Sequence, residues 1–147
     1  MSDPLFKIIL LMVETTQEAM KAAKLAIALA GAHHARLIGL HVVDRTVIER
    51  IQRFGDKKRS EIEIEVEENG WNYLYHVEER ALEQQVGMSL VQEEGLPEHV
   101  IVKKAEAFHA DLIVLGMPKA RSGVRHFTTA NVERIIEHAP CPVLTVT

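Results

Sequence analysis

Two places in this chain carry charged residues in a context that would present them. The first is the loop beginning at Gly116, which follows the apolar run Leu112–Leu115 and carries Lys119, Arg121, Arg125 and His126. Thr128 and Thr129 then open a helical pattern. Glycine lets backbone N–H groups approach an anion, and lysine and arginine supply charge. A helix N-terminus adds free N–H groups and a positive dipole end. Phosphate binding within Gly116–Ala130 is the chemistry this stretch suggests. A solvated loop with Thr128 or Thr129 as N-cap is the plainer account. The second place is Glu14, an acid that follows the apolar run Phe6–Val13 and precedes Thr15 and Thr16. It supplies a negative charge at a helix start, next to two possible N-caps.

Other chemistry finds little support. The chain has eight histidines and one cysteine, but none has the paired spacing of a closed metal site. His33 and His34 are adjacent and point apart on a helix. His41 lies in an apolar run, and His76, His99, His109 and His138 stand in or beside helical segments. Cys141, between Pro140 and Pro142, lacks a Cys-X-X-Cys partner and reads as a small apolar filler. No P-loop and no Gly-X-Ser-X-Gly occurs, and no nucleophile, base and orienting group can be assembled. Neither a metal nor an enzymatic centre is expected.

Such a loop needs a scaffold, and 147 residues with 47% apolar and 26% charged suit one globular domain over residues 1–147. A net charge of −4 gives no electrostatic reason for nucleic-acid binding. No signal-type segment and no membrane-length apolar run appear, so a cytoplasmic protein without a membrane contact is expected. A single cysteine fits a reducing compartment.

The apolar pattern alternates short runs with helical stretches. Phe6–Val13 suits a strand buried on both faces. Gln17–Ala32 is helical, with an alanine-rich side and Gly31 where a C-terminal glycine belongs. Leu37–Val43 is a second strand closed by Asp44, and two strands joined by a crossover make a right-handed βαβ unit. Arg45–Arg59 reads as a linker-like arm with six basic and two acidic residues, followed by the acidic Glu61–Glu68. Glu61–Val77 fits two patterns. Its alternation around Asn69-Gly70 allows a hairpin, whereas Ile62, Val66, Gly70, Tyr73, Leu74, Val77 and Ala81 form one stripe of a helix. The helix is favoured because a parallel strand follows and needs a crossover. Val86–Gln92 is a third strand, Pro97 to about His109 a helix, Asp111–Leu115 a fourth strand, Thr128–His138 a helix, and Val143–Thr147 a fifth strand.

Taken in order, KIILLMVETT, LHVVD (Leu40–Asp44), GLPEHVI (Gly95–Ile101), HADLIVLG (His109–Gly116) and VERIIEHAPCPVLTV (Val132–Val146) make the chain resemble a universal stress protein from end to end. The resemblance implies an α/β fold of the adenine-nucleotide α-hydrolase-like kind: one open five-stranded parallel sheet of order 3-2-1-4-5, helices on both faces. It also implies a homodimer through the last strand (Val143, Leu144, Thr145, Val146), with further protein partners that the sequence does not name. Members of this family that bind ATP share the pattern glycine, two residues, glycine, nine residues, glycine, then serine or threonine. Gly116 matches the first position, while Lys119, Thr129 and Ala130 depart from the other three. Glu14 stands where aspartate is usual, and Val42 at the position whose backbone reads adenine. The nucleotide site that the resemblance implies therefore comprises Met12, Glu14, Val42, Gly116, Lys119, Arg121, Thr129 and Ala130. Its expected state is an eroded loop in a regulatory, stress-response module with no certain cofactor. The alternative is a switch that binds ATP, ADP or AMP, a weak ATPase at most.

Overall fold

The computed structural model describes residues 3–119 and 127–147. Ten elements follow in chain order: β1 (Ile8–Met12), α1 (Gln17–His33), β2 (Arg36–Asp44), α2 (Arg45–Phe54), α3 (Arg59–Glu83), β3 (Met88–Gly95), α4 (Pro97–Phe108), β4 (Leu112–Gly116), α5 (Thr129–His138) and β5 (Val143–Val146). The strands form one sheet in the order β3-β2-β1-β4-β5, and every pairing is parallel. This is the expected topology. It places the reversal of strand order between β1 and β4, where open α/β sheets form a crevice at their carboxyl ends.

Two cores sandwich the sheet. On one face Ile9, Leu11 and Val13 pack with Ala22, Ala23 and Ala26 of α1 and with Leu74, Val77 and Ala81 of α3. On the other, Leu10, Met12, Leu40 and Val42 meet Ile101 and Ala105 of α4 and Val132 and Ile135 of α5. Consecutive strand residues point to opposite faces, so a strand covered twice must be apolar throughout. β1 meets that condition: Ile9, Leu10, Leu11 and Met12 are all at most 1% exposed. Alanines along α1 let the helix approach the sheet closely, and Thr16 caps it by accepting from Ala19 N at 3.1 Å.

The stretch Glu61–Val77 is helical throughout, within a single 25-residue helix. The hairpin alternative is thereby set aside. Gly70, poor in a helix interior, is required by packing: a Cβ there would fall on Gln92 Oε1 and lie 2.5 Å from His41 Cδ2. The arm Arg45–Arg59 is not a plain linker, because its first ten residues form α2. Asp44 caps that helix by accepting from Thr46 N at 2.9 Å and from Thr46 Oγ1 at 2.7 Å. Ile48 anchors it in a small cluster with Val43 and Ile62. The expected C-terminal role of Gly31 is also corrected. Gly31 lies inside α1, and His34 takes the left-handed cap (φ 52°), as His109 (φ 55°) does after α4. Histidine is one of the non-glycine residues enriched in that conformation. β3 starts two residues later than expected and runs to Gly95.

Candidate functional site

At the carboxyl end of the sheet β1 stops before its neighbour does. The β1–β2 ladder ends at Met12↔Leu40, and Val13 N makes one further bond to Leu40 O at 2.7 Å. Val13 O is then taken by a side chain, His41 Nδ1 at 2.8 Å. A carbonyl can only accept, so Nδ1 carries the proton. In a strand, residues two apart turn their backbone groups to the same side. Leu40 bonds toward β1, so Val42 turns its N–H and C=O toward the space beyond the end of β1. Its side chain, with that of Met12, belongs to the core facing α4 and α5.

Glu14 stands at this opening. Its Oε1 is shut off from solvent. Burial first, and the nearby Asp44 carboxylate second, push its pKa up from 4.5 to about 8. At neutral pH Glu14 is therefore largely a protonated acid, able to donate as well as accept. Asp44 itself is 4% exposed and committed to the cap of α2.

Across the β1–β4 crevice the backbone comes very close. A Cβ on Gly116 would fall on Ala19 N and lie 2.5 Å from Glu18 C. Gly116 is thus demanded by the approach of α1 to β4. Lys119, three residues on, turns back to the same helix end. Its Nζ lies 2.9 Å from Glu18 Oε1, and the Glu18 side chain is 7% exposed. The Lys119 hydrogen bond, with a smaller contribution from the Glu18 backbone N–H, holds the Glu18 carboxyl below the usual range. The first turn of α1, an end that attracts anions, thereby carries its own carboxylate with a cation over it.

The start of α5 is committed internally as well. Asn131 Oδ1 accepts from Thr128 N at 2.7 Å and from Thr128 Oγ1 at 2.9 Å. Its Nδ2 donates to Glu98 Oε2 at 2.9 Å, tying α5 to α4. Thr128, not Thr129, is the N-cap residue. Thr129 and Ala130 fill the first two positions of the helix, the first half-buried and the second exposed. Arg121, Arg125 and His126 lie outside the described residues.

The sequence-based set is thus divided. Glu14 and the backbone of Val42 gather at the end of β1, and Gly116 and Lys119 gather on the start of α1. Glu18, His41 and Asn131 were missed as site residues. Glu18 carried no motif, His41 looked like a strand filler, and Asn131 lay three residues beyond a threonine, a spacing that capping could have suggested. Among the described residues no three His, Cys, Asp or Glu side chains cluster as metal ligands do.

A profile of the Universal stress protein family matches residues 5–147. A universal stress protein of Methanocaldococcus jannaschii is 33% identical over 146 residues, covering 98% of this chain and 84% of the relative. A crystal structure of a universal stress protein family member from Burkholderia pseudomallei is 26% identical with a TM-score of 0.74, covering 97% of this chain and 96% of the other. The Archaeoglobus fulgidus universal stress protein in complex with dAMP shares the fold at 18% identity and a TM-score of 0.66, covering 96% and 97% of the two chains.

Proposed function

Because the chain belongs to the universal stress protein family, we propose that it is a regulatory module of the stress response, a single-domain cytoplasmic homodimer whose nucleotide loop is eroded. The observation that carries this reading is the Lys119–Glu18 ion pair. At the position where ATP-binding members of the family are expected to have a second glycine, this chain has a cation already neutralised by its own α1. The Thr128 hydroxyl is spent on Asn131, and Ala130 offers no donor side chain. Gly116 is accounted for by packing against Glu18 and Ala19. Among the described residues, phosphate would have to displace an ion pair and would find fewer donors in return.

Dimerisation through β5 is supported by its place at the sheet edge. Among the described residues β5 pairs only with β4, and Val143, Leu144, Thr145 and Val146 all keep partial exposure. A short, apolar, half-open edge strand is a template for pairing with a second copy.

A switch that binds an adenine nucleotide, a weak ATPase at most, is the second reading. The outward-turned backbone of Val42 and the sunken Glu14 favour it, and a relative of the same fold holds dAMP. In that reading Met12, Glu14, Val42, Gly116, Lys119, Arg121, Thr129 and Ala130 line the site. The triple variant Lys119→Gly, Thr129→Gly, Ala130→Ser separates the two. An eroded loop gains ATP affinity in that variant, read by calorimetric titration. A functioning basic loop loses it.

A further inference from the structure

Most exposed apolar side chains on a protein surface carry no message when they are scattered singly. Those of α3 are not scattered. Ile64, Tyr75 and Leu82 are 57%, 54% and 58% exposed. Trp71, half-buried, stacks on Tyr75 with ring centroids 6.0 Å apart. Their spacing of seven, four and seven residues puts all four on one line of the helix, about 27 Å long at 1.5 Å per residue. The side of α3 that carries Ile62, Leu74, Val77 and Ala81, about a third of a turn away, already holds the helix on the sheet. Trp71 leans in part on the core, while Ile64, Tyr75 and Leu82 stand outside every core cluster, so the outer line is a second apolar stripe that folding uses only through Trp71.

Acids wall this stripe on both sides. By the helical repeat Glu61, Glu68 and Glu79 follow one edge, and Glu67 and Glu78 the other. No Lys or Arg occurs between Arg59 and Arg80. Among the described residues Glu67, Glu68, Glu78 and Glu79 form no ion pair. A second α3 laid against this face would bring glutamate onto glutamate, and an anionic membrane would be repelled in the same way. An apolar ridge flanked by cations is the complement.

We infer that the outer face of α3 is a docking surface for a cationic amphipathic helix of a partner protein, with Trp71 and Tyr75 as its anchors. The mode is helix against helix, apolar line on apolar line, with lysines or arginines reaching the glutamate walls. It is independent of nucleotide binding and of pairing through β5.

Trp71 is the only tryptophan of the chain, so its emission reports on the surface directly. The probe is an 18-residue peptide of leucine and lysine patterned as an amphipathic helix, titrated into the intact protein. A peptide of the same composition with its helical period scrambled is the control. We expect a saturable blue shift with the patterned peptide and at least tenfold weaker binding of the scrambled one. A similar loss is expected for the double variant Ile64→Ser, Leu82→Ser, whose positions are exposed. The charge-reversed pair Glu68→Lys, Glu78→Lys leaves the stripe intact and should also bind at least tenfold more weakly. Equal response to the two peptides, or unchanged binding by either variant, overturns the inference. So does a shift that depends only on protein concentration and vanishes with Ile64→Ser, Leu82→Ser, because a second copy would then be the occupant. A shift seen only with phospholipid vesicles overturns it likewise.

Discussion

His41 Nδ1 donates to Val13 O across 2.8 Å, replacing a backbone donor with a side chain at the point where β1 leaves β2. The imidazole is 7% exposed and meets Tyr73 edge-on at 5.5 Å, so it fixes the residue that precedes Glu14. His41→Leu leaves the buried Val13 carbonyl without this donor, and a loss of about 1–3 kcal/mol is expected by urea denaturation. His41→Asn restores a donor of shorter reach and should lose less.

Two glycines inside helices are expected to respond to alanine with opposite signs. At Gly31 an added Cβ meets only Val86 Cγ2 at 3.5 Å, an ordinary contact. Gly31→Ala should stabilise by about 0.5–1 kcal/mol through helix propensity alone. At Gly70 the same methyl falls on Gln92 and His41. Overpacking there outweighs propensity, and Gly70→Ala should destabilise by about 1–3 kcal/mol. Chemical denaturation of the two variants side by side checks both.

Gly116→Ala tests whether the first position of the loop is structural. Its methyl would meet backbone atoms of Glu18 and Ala19, which cannot swing aside as a side chain can. A loss of about 2–4 kcal/mol is expected. The loss should have the same size with and without millimolar ATP, as a role in packing requires.

Glu14 links stability to pH. Its pKa is raised from 4.5 to about 8 in the folded protein, so between those values the folded state holds a proton that the unfolded state has released. The folded state is thus favoured by this group at low pH, and its contribution falls as pH rises from about 4.5 through about 8. The decline is of order 1–3 kcal/mol, less than the whole shift implies because the residue keeps some contact with water. Glu14→Gln mimics the neutral acid. It should match the parent near pH 5 and exceed it in stability near pH 9, measured by thermal unfolding at both.

What the residues disclosed beforehand follows from how local each signal was. β1 and β4 announced themselves because a strand covered on both faces must be apolar at every position. The sheet order came from resemblance, not from spacing. α3 was ambiguous because Asn69-Gly70 mimics a turn. The reason for Gly70 lies in Gln92 and His41, one of them 29 residues earlier in the chain. α2 was hidden because only Ile48 of its ten residues is buried, so its apolar pattern has little core to report on. At the candidate site, Glu14 and Lys119 were visible as charges in strand-end loops. Their surroundings were not, because the burial of Glu14 near the Asp44 carboxylate and the reach of Glu18 to Lys119 arise from packing that no spacing encodes.

Calorimetric titration with ATP, with and without magnesium, on protein denatured and refolded to strip any carried ligand, tests the eroded loop most directly. With Lys119 held by Glu18 and Thr128 held by Asn131, no saturable heat is expected up to millimolar ATP. Saturable binding in the micromolar range would contradict the account. It would mean that phosphate displaces the Lys119–Glu18 pair and that the site is a working nucleotide switch.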